Sequence, residues 1–114
     1  MLINELITLT RTAPESIEFT QVMELITDHY HYTPTAFSNG DLASEAGSNE
    51  GSCKIFYFAK LNQLSAEQTL SLFGAYYRED VLQHPEGTDH GNIRNFMVTG
   101  WDGIEFFSEA LAPK

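Results

Sequence analysis

The stretch FTQVMELITDHY, residues 19–30, gives the clearest indication of secondary structure in the chain. Its apolar residues recur at the spacing i, i+3, i+4, i+7 and i+11, which follows one face of a helix; they are Phe19, Val22, Met23, Ile26 and Tyr30. This pattern predicts an amphipathic helix of about four turns. Pro14 and Glu15 suit the first turn of that helix. Pro34 ends it, because the residue before a proline is pushed out of the helical region.

Two further helices are predicted on either side of this one. Leu2–Thr12 is a short helix candidate, since its leucines stand near helical spacing. Ser52 is a suitable N-cap for a helix over Cys53–Leu61. The apolar run Ile55–Phe58 would also suit a buried strand, and periodicity does not separate the two. We favour the helix.

The second half of the chain predicts two more helices. Ser65 and Gln68 form a capping box, in which each side chain satisfies a free backbone N–H of the other residue. The helix that they open runs to just before Pro85 and carries on one face Leu70, Phe73, Tyr77 and Val81. Thr88 or Asp89 caps the last helix, whose apolar stripe consists of Ile93, Phe96, Met97, Gly100 and Trp101. We expect Phe96 and Trp101 on this stripe to be buried.

The remaining segments contain few regular elements. Thr33–Ser52 is rich in Ser, Asn, Gly and Thr, has a turn signal at Asn39-Gly40, and is expected to be a long packed loop. Ile104–Phe107 alternates loosely and indicates at most a small C-terminal hairpin. The sequence therefore predicts a mainly α fold, α+β at most, with about five helices in one compact domain over residues 1–114.

Length and charge exclude several classes of function. A chain of 114 residues, of which 42% are hydrophobic, is long enough to bury a core without disulfides or metal. It has 6 Lys and Arg against 16 Asp and Glu, a net charge of −10. A general nucleic-acid binder would need a basic surface, and anionic membranes would repel this chain. We therefore expect no nucleic-acid and no membrane partner.

Cysteine content and the first residues indicate the compartment. Cys53 is the single cysteine, so no intramolecular disulfide can form. The N-terminus lacks the basic region and small-residue cleavage site of a secretory signal, and the longest apolar run, Ile55–Ala59, is too short to span a bilayer. We expect a soluble, cytoplasmic protein, a monomer rather than an obligate oligomer, with no cofactor.

Histidines and acids offer a first candidate site. His29 and His31 are two residues apart, whereas two ligands on one helix face need a spacing of three or four. The candidates for a mixed metal site with them are two more histidines, two acids and the cysteine: His84, His90, Asp28, Asp89 and Cys53. The structural alternative is that the first two histidines cap and pack at a helix C-terminus, where the helix dipole favours a cationic group.

Cys53 is a second candidate, as a nucleophile. It lies just inside a predicted helix N-terminus and next to Lys54, and both features lower the pKa of a thiol. With His90 and Asp89, or with His29, it could form the nucleophile, base and orienting group of a hydrolase. The structural alternative is a small buried apolar residue.

Two arginines stand out because basic residues are scarce. Arg78 and Arg94 each lie in a dense polar segment. They could clamp a carboxylate or phosphate group of a small ligand. The alternative, which we favour, is an internal salt bridge with one of the many acids.

Four segments and a final dipeptide carry a family resemblance. They are DHYHYTPTAFSNG (28–40), AGSNEGSCKIF (46–56), FGAYYREDVL (73–82), DHGNIRNFM (89–97) and Gly100-Trp101. In this order they resemble the HopJ family, named after a type III secretion effector of plant-pathogenic bacteria, over about residues 19–111. The resemblance implies delivery into a host cell and action on a host component, but no reaction and hence no catalytic residue.

The N-terminus differs from a type III export signal, which tends to be flexible and rich in serine. Glu5 comes early, no serine precedes Ser16, and Leu2–Thr12 is predicted to fold. We therefore expect a resident cytoplasmic protein, with secretion into a host as the alternative.

Two functions remain open at this point. The first is an interaction domain that binds an unidentified protein and has no active site. The second is a small ligand- or metal-binding protein, or a Cys/His hydrolase, with a polar site built from His29–Thr35, Gly51–Lys54 and Asp89–Arg94. Convergence of these three segments in one pocket would favour the second function, and scattered positions would favour the first. We expect the first and third segments to lie close together, with the 47–52 loop beside them.

Overall fold

A computed structural model describes all 114 residues. It contains five α-helices and five short strands, so the fold is α+β, the upper bound of the expected class, and not purely α. The helices are α1 (Ile3–Thr12), α2 (Phe19–His29), α3 (Glu50–Leu61), α4 (Ala66–Ser71) and α5 (Gly91–Thr99). The strands are β1 (Tyr30–Tyr32), β2 (Phe37–Asn39), β3 (Leu42–Ser44), β4 (Ile104–Phe106) and β5 (Leu111–Pro113). No helix is both long enough and apolar enough to cross a membrane.

The strands form two small antiparallel sheets. One contains β1 and β5, with His31 opposite Ala112, and the other has the order β3-β2-β4. The segment expected as a packed loop therefore contains a hairpin, which turns at Gly40 with a φ of +62°. The expected C-terminal hairpin is wrong, because β4 and β5 pair with β2 and β1 and not with each other. Pairing between segments so distant in the chain leaves no local signal in the sequence.

Aromatic side chains form the centre of the core. The ring of Phe56, on α3, lies 4.9 Å from that of Phe96 and 5.5 Å from that of Phe73. The predicted burial of Phe96 is confirmed, with 1% of its surface exposed. Trp101 is only half-buried, in a 3₁₀ turn after α5, where its Nε1 donates to the carbonyl of Leu64 over 3.0 Å.

The first predicted helix boundary needs a correction. Pro14–Ser16 forms a separate 3₁₀ turn, and α2 begins only at Phe19. The backbone N–H of Glu18 donates to Oε1 of Gln21, which closes the start of the helix. Pro14 therefore begins a helical turn, as expected, but not the long helix. The predicted apolar face is buried at Val22 and Ile26.

The helix expected from Ser65 to Pro85 is also broken. The capping box is confirmed, since the N–H of Gln68 donates to Oγ of Ser65 over 3.1 Å. However, α4 ends at Ser71, and Gly74 follows with a φ of +63°. A Cβ at this glycine would lie 2.8 Å from the backbone nitrogen of Phe19, so the chain turns where the two backbones meet. A π-helical turn over Tyr76–Val81 resumes the helical path.

The last helix begins one or two residues later than the sequence indicates. Its N-cap is His90, with a left-handed φ of 51°, and neither Thr88 nor Asp89. The apolar stripe of α5 is only partly buried, since Ile93 is buried and Met97 is 45% exposed.

Candidate functional site

A pocket of about 530 Å³ lies where α3 and α5 begin. We call it the interhelix pocket. Aromatic and apolar side chains line one part of it and the first turns of the two helices line the other; the full lining is Phe19, Leu42, Asn49, Gly51, Ser52, Phe73, Tyr76, His90, Gly91, Asn92 and Ile93. Pockets for small organic molecules have volumes of about 300 to 1,000 Å³ and a similar mixture of surfaces.

Both helices present uncapped N-termini to this pocket. The N-cap residues, Asn49 and His90, have left-handed backbones, and neither side chain makes a capping hydrogen bond. The first backbone N–H groups of a helix have no partner within the helix, and they form its positive end. The first turns contribute Gly51 and Ser52 from α3 and Gly91 and Asn92 from α5. This arrangement favours an anionic or electron-rich group in the pocket.

The imidazole of His90 is held in a fixed orientation at the pocket. Its Nε2 lies 3.0 Å from Oδ2 of Asp80, in the π-helical turn. Its ring packs against that of Tyr76, with 5.2 Å between the centroids. Nδ1 makes no hydrogen bond with the protein and is therefore free to form one with a ligand.

Arg94 holds the loop that carries His90. Its guanidinium donates to the carbonyls of Asp89 and His84 over 2.6 and 2.9 Å, and to Oδ1 of Asp89 over 2.7 Å. Hydrogen bonding to this guanidinium lowers the pKa of the Asp89 carboxyl. Arg94 thus forms the internal salt bridge that we favoured and does not line the pocket. Arg78 also makes a contact within the protein, since its guanidinium donates to the carbonyl of Ile17 over 2.8 Å.

A buried amide links the sheet to the start of α5. Nδ2 of Asn39, on β2, donates to the carbonyl of Asn92 over 2.8 Å. Oδ1 of Asn39 is buried and has no hydrogen-bond partner. The link fixes the first turn of α5 relative to the hairpin.

Cys53 lies below the pocket surface and is not activated. Its side chain is fully buried, and its Sγ donates to the carbonyl of Thr35 over 3.7 Å. Burial, reinforced by the charge of Glu50, raises the pKa of the thiol to about 11. Lys54 lowers the pKa of the thiol, as expected, but by less than burial raises it. Of the two alternatives for Cys53, the structure favours the small buried apolar residue over the reactive thiolate.

The other two candidate histidines lie outside the pocket. His29 is the last residue of α2, with Nε2 3.4 Å from the carbonyl of Met1. His31 is exposed on β1. The hydroxyl of Thr35 forms a hydrogen bond with that of Ser108, with 2.6 Å between the two oxygens. Of the three candidate segments, 51–54 and 89–94 contribute to the interhelix pocket and 29–35 does not.

The distribution of ligand-type side chains argues against a metal centre. No group of three or more His, Cys, Asp or Glu side chains is placed to hold a metal ion. His90 has carboxylates as neighbours, with Oδ2 of Asp89 3.8 Å from its Nε2, but they do not complete such a group.

Several pocket residues had no functional signal in the sequence. Phe19 belongs to the apolar stripe of α2 and was expected to be core. Tyr76, which lines the pocket, and Asp80, which contacts His90 without lining it, lie in the polar segment that the sequence marked only for Arg78. The turn at Gly74 brings them to His90, and this turn was hidden within an apparently continuous helix.

The fold and the pocket define a small α+β domain with a cavity between two helix N-termini. The sequence matches the family described as HopJ type III effector protein over residues 3–111, so the chain belongs to that family. The match includes α1, which lies outside the range of the resemblance seen in the sequence.

A solved structure extends the comparison. The chain is similar to the crystal structure of the unknown function protein VPA0580, with 53% sequence identity and a TM-score of 0.97. The alignment covers 100% of this chain and 95% of that one. No curated protein matches the sequence.

Proposed function

We propose that this HopJ-family chain is a binding protein for a small organic anion, which it takes up in the interhelix pocket. The observation that carries the proposal is the meeting of two uncapped helix N-termini and His90 in one cavity of about 530 Å³. Positive helix ends stabilise an anionic group. Because Nε2 of His90 is engaged with Asp80, Nδ1 can donate a directed hydrogen bond to that group when the imidazole carries both protons.

The pocket also has a surface for the apolar part of such a ligand. Phe19 and Tyr76 pack edge to face, with 5.1 Å between ring centroids, and Phe73 lies beside them in the lining. Aromatic walls with a few directed polar groups are typical of small-molecule sites. The ligand class that fits is therefore a planar or apolar body bearing a carboxylate or phosphate.

Binding fits the geometry better than cysteine-dependent hydrolysis. The thiol of Cys53 is buried, has a pKa of about 11, and does not line the pocket. Hydrolysis of an acyl or phosphoryl bond would need an activated nucleophile next to His90. Asp80 orients His90 as a base, but Cys53 is not available beside it as a nucleophile.

We further propose that the protein acts in the cell that makes it. Leu6, on α1, is fully buried, and Nε2 of Gln68, on α4, donates to Oγ1 of Thr10 over 2.9 Å. The N-terminal segment is thus integrated into the core, whereas an export signal has to be available as an unfolded segment. A reporter fused to residues 1–30 should not be transferred by a type III apparatus. Efficient transfer that depends on the apparatus would restore the effector role.

The ligand proposal is tested by calorimetric titration with phenyl phosphate and with benzyl alcohol as its neutral counterpart. We expect phenyl phosphate alone to bind. His90→Asn should lower its affinity about tenfold, the loss of one hydrogen bond to a charged group, since Asn tolerates the left-handed backbone. His84→Asn, at an exposed histidine outside the pocket, is the matched control and should bind as the native chain does. Equal affinities for both compounds would overturn the proposal.

A further inference from the structure

The second sheet has an open edge at β4. In the order β3-β2-β4, β4 pairs with β2 on one side and with no strand on the other. The N–H of Phe107 donates to Ala36 and the N–H of Gly40 donates to Gly103, which fixes the alternation of the ladder. In an antiparallel pair alternate residues point their backbone groups away from the partner strand. The N–H and C=O of Phe106 therefore point away from β2, toward the side where no strand lies.

A second pocket borders this edge. We call it the edge pocket; its volume is about 370 Å³ and it is lined by Ala59, Lys60, Gln63, Leu64, Trp101 and Ile104. The hydrogen bond from Trp101 to the carbonyl of Leu64 holds the indole in place, so the pocket has a defined shape. It shares no lining residue with the interhelix pocket.

The charges around the edge select one kind of partner. Asp102, Glu105 and Glu109 are exposed on or next to β4. The only cation of the pocket lining, Lys60, is placed over the rings of Tyr57 and Phe106, at 5.7 and 5.5 Å from their centroids. Edge-to-edge pairing with a second copy would bring two Glu105 side chains and two chains of charge −10 together.

We propose that the β4 edge binds an extended basic peptide segment of a partner protein by strand addition. Ile104 and Phe106 share the face toward α3, where the ring of Phe106 lies 4.8 Å from that of Tyr57, and Glu105 is on the opposite face. An added strand would therefore alternate in the same way. Its apolar residue enters the edge pocket, and the Lys or Arg residues on both sides of it meet Glu105 and its acidic neighbours.

The test uses a fluorescent peptide in which lysine alternates with isoleucine, measured by anisotropy against the native chain. We expect saturable binding that is lost when the peptide backbone is N-methylated on its strand-forming edge, because strand addition needs those N–H groups. Glu105→Lys should weaken binding at least about fivefold, whereas Glu86→Lys, an exposed acid far along the chain from β4, should change it less than about twofold.

Three results would overturn the proposal. Equal weakening by the two substitutions would show general attraction between opposite charges. Retained affinity after N-methylation would exclude strand addition. Formation of dimers by the native chain without peptide, dissociated by the unmethylated peptide, would assign the edge to self-association. None of these results bears on the interhelix pocket, so the two proposals fail independently.

Discussion

Nε2 of His90 and Oδ2 of Asp80 are 3.0 Å apart, and this contact joins the π-helical turn to the start of α5. It sets the plane of the imidazole and leaves Nδ1 for other contacts. Arg94 fixes the intervening loop from the other side through the carbonyls of His84 and Asp89. The pocket therefore has its polar group in place before any ligand arrives, which lowers the cost of binding.

Cys53 should be inert in the folded protein. A pKa of about 11 instead of 9.0 lowers the thiolate fraction at neutral pH about a hundredfold, and burial adds steric protection. We expect iodoacetamide to leave the native chain unmodified and to label it after denaturation in guanidinium. Mass spectrometry measures both. Rapid labelling of the native chain at neutral pH would contradict the assigned burial.

The same thiol predicts a loss of stability in alkali. Its folded pKa lies above its ordinary value, so the folded state favours the protonated thiol. The stabilisation is complete below a pH of about 9 and is lost as the pH rises toward about 11. Tyr32 titrates in the same direction, since burial also raises its pKa. Cys53→Ala should reduce the slope of the free energy of unfolding against pH above 9, and an unchanged slope would assign the effect elsewhere.

Gly74 should be intolerant of any side chain. Its φ is +63°, and a Cβ would lie 2.8 Å from the backbone nitrogen of Phe19, which has no freedom to move aside. We expect Gly74→Ala to cost at least about 2 kcal/mol, from backbone strain and the clash together. Gly47→Ala is the control, because Gly47 has a φ of +88° with no atom within 4 Å of the added Cβ. It should cost about 1 kcal/mol, as strain alone does. Equal costs in urea denaturation would refute the close approach.

Helix α5 should be sensitive on one face only. Phe96 is 1% exposed and packs between the rings of Phe56 and Trp101, whereas Met97 is 45% exposed. Phe96→Ala should lower the free energy of unfolding by about 3 to 5 kcal/mol, as truncation of a buried aromatic does. Met97→Ala should lower it by less than about 1 kcal/mol. Comparable losses at both positions would mean that this helix packs differently.

Local patterns in the sequence predicted the helices better than they predicted the interhelix pocket. The apolar stripe of α2 and the capping box of Ser65 and Gln68 act over a few residues, so periodicity and spacing identified them. The pairing of β1 with β5 joins segments that are far apart in the sequence, with Tyr30 opposite Pro113. Such contacts depend on tertiary packing, which local propensity does not contain.

The pocket escaped prediction for a related reason. It depends on the left-handed backbone at His90 and on the turn at Gly74, neither of which an apolar stripe reveals. The sequence correctly identified segments 51–54 and 89–94 as dense in polar groups. It also included His29, which ends α2, and His31, which lies on β1, and neither lines the pocket.

The central claim is that a small organic anion binds where α3 and α5 begin, and backbone amide shifts test it most directly. Titration of ¹⁵N-labelled protein with phenyl phosphate should move the signals of Gly51, Ser52, Gly91 and Asn92 together along one saturating curve, and His90→Asn should weaken that curve about tenfold. The amides of β1 and the side chain of His31 should stay in place. Unmoved helix N-terminal amides at saturating phenyl phosphate, or shifts centred on His29 and His31, would contradict the account.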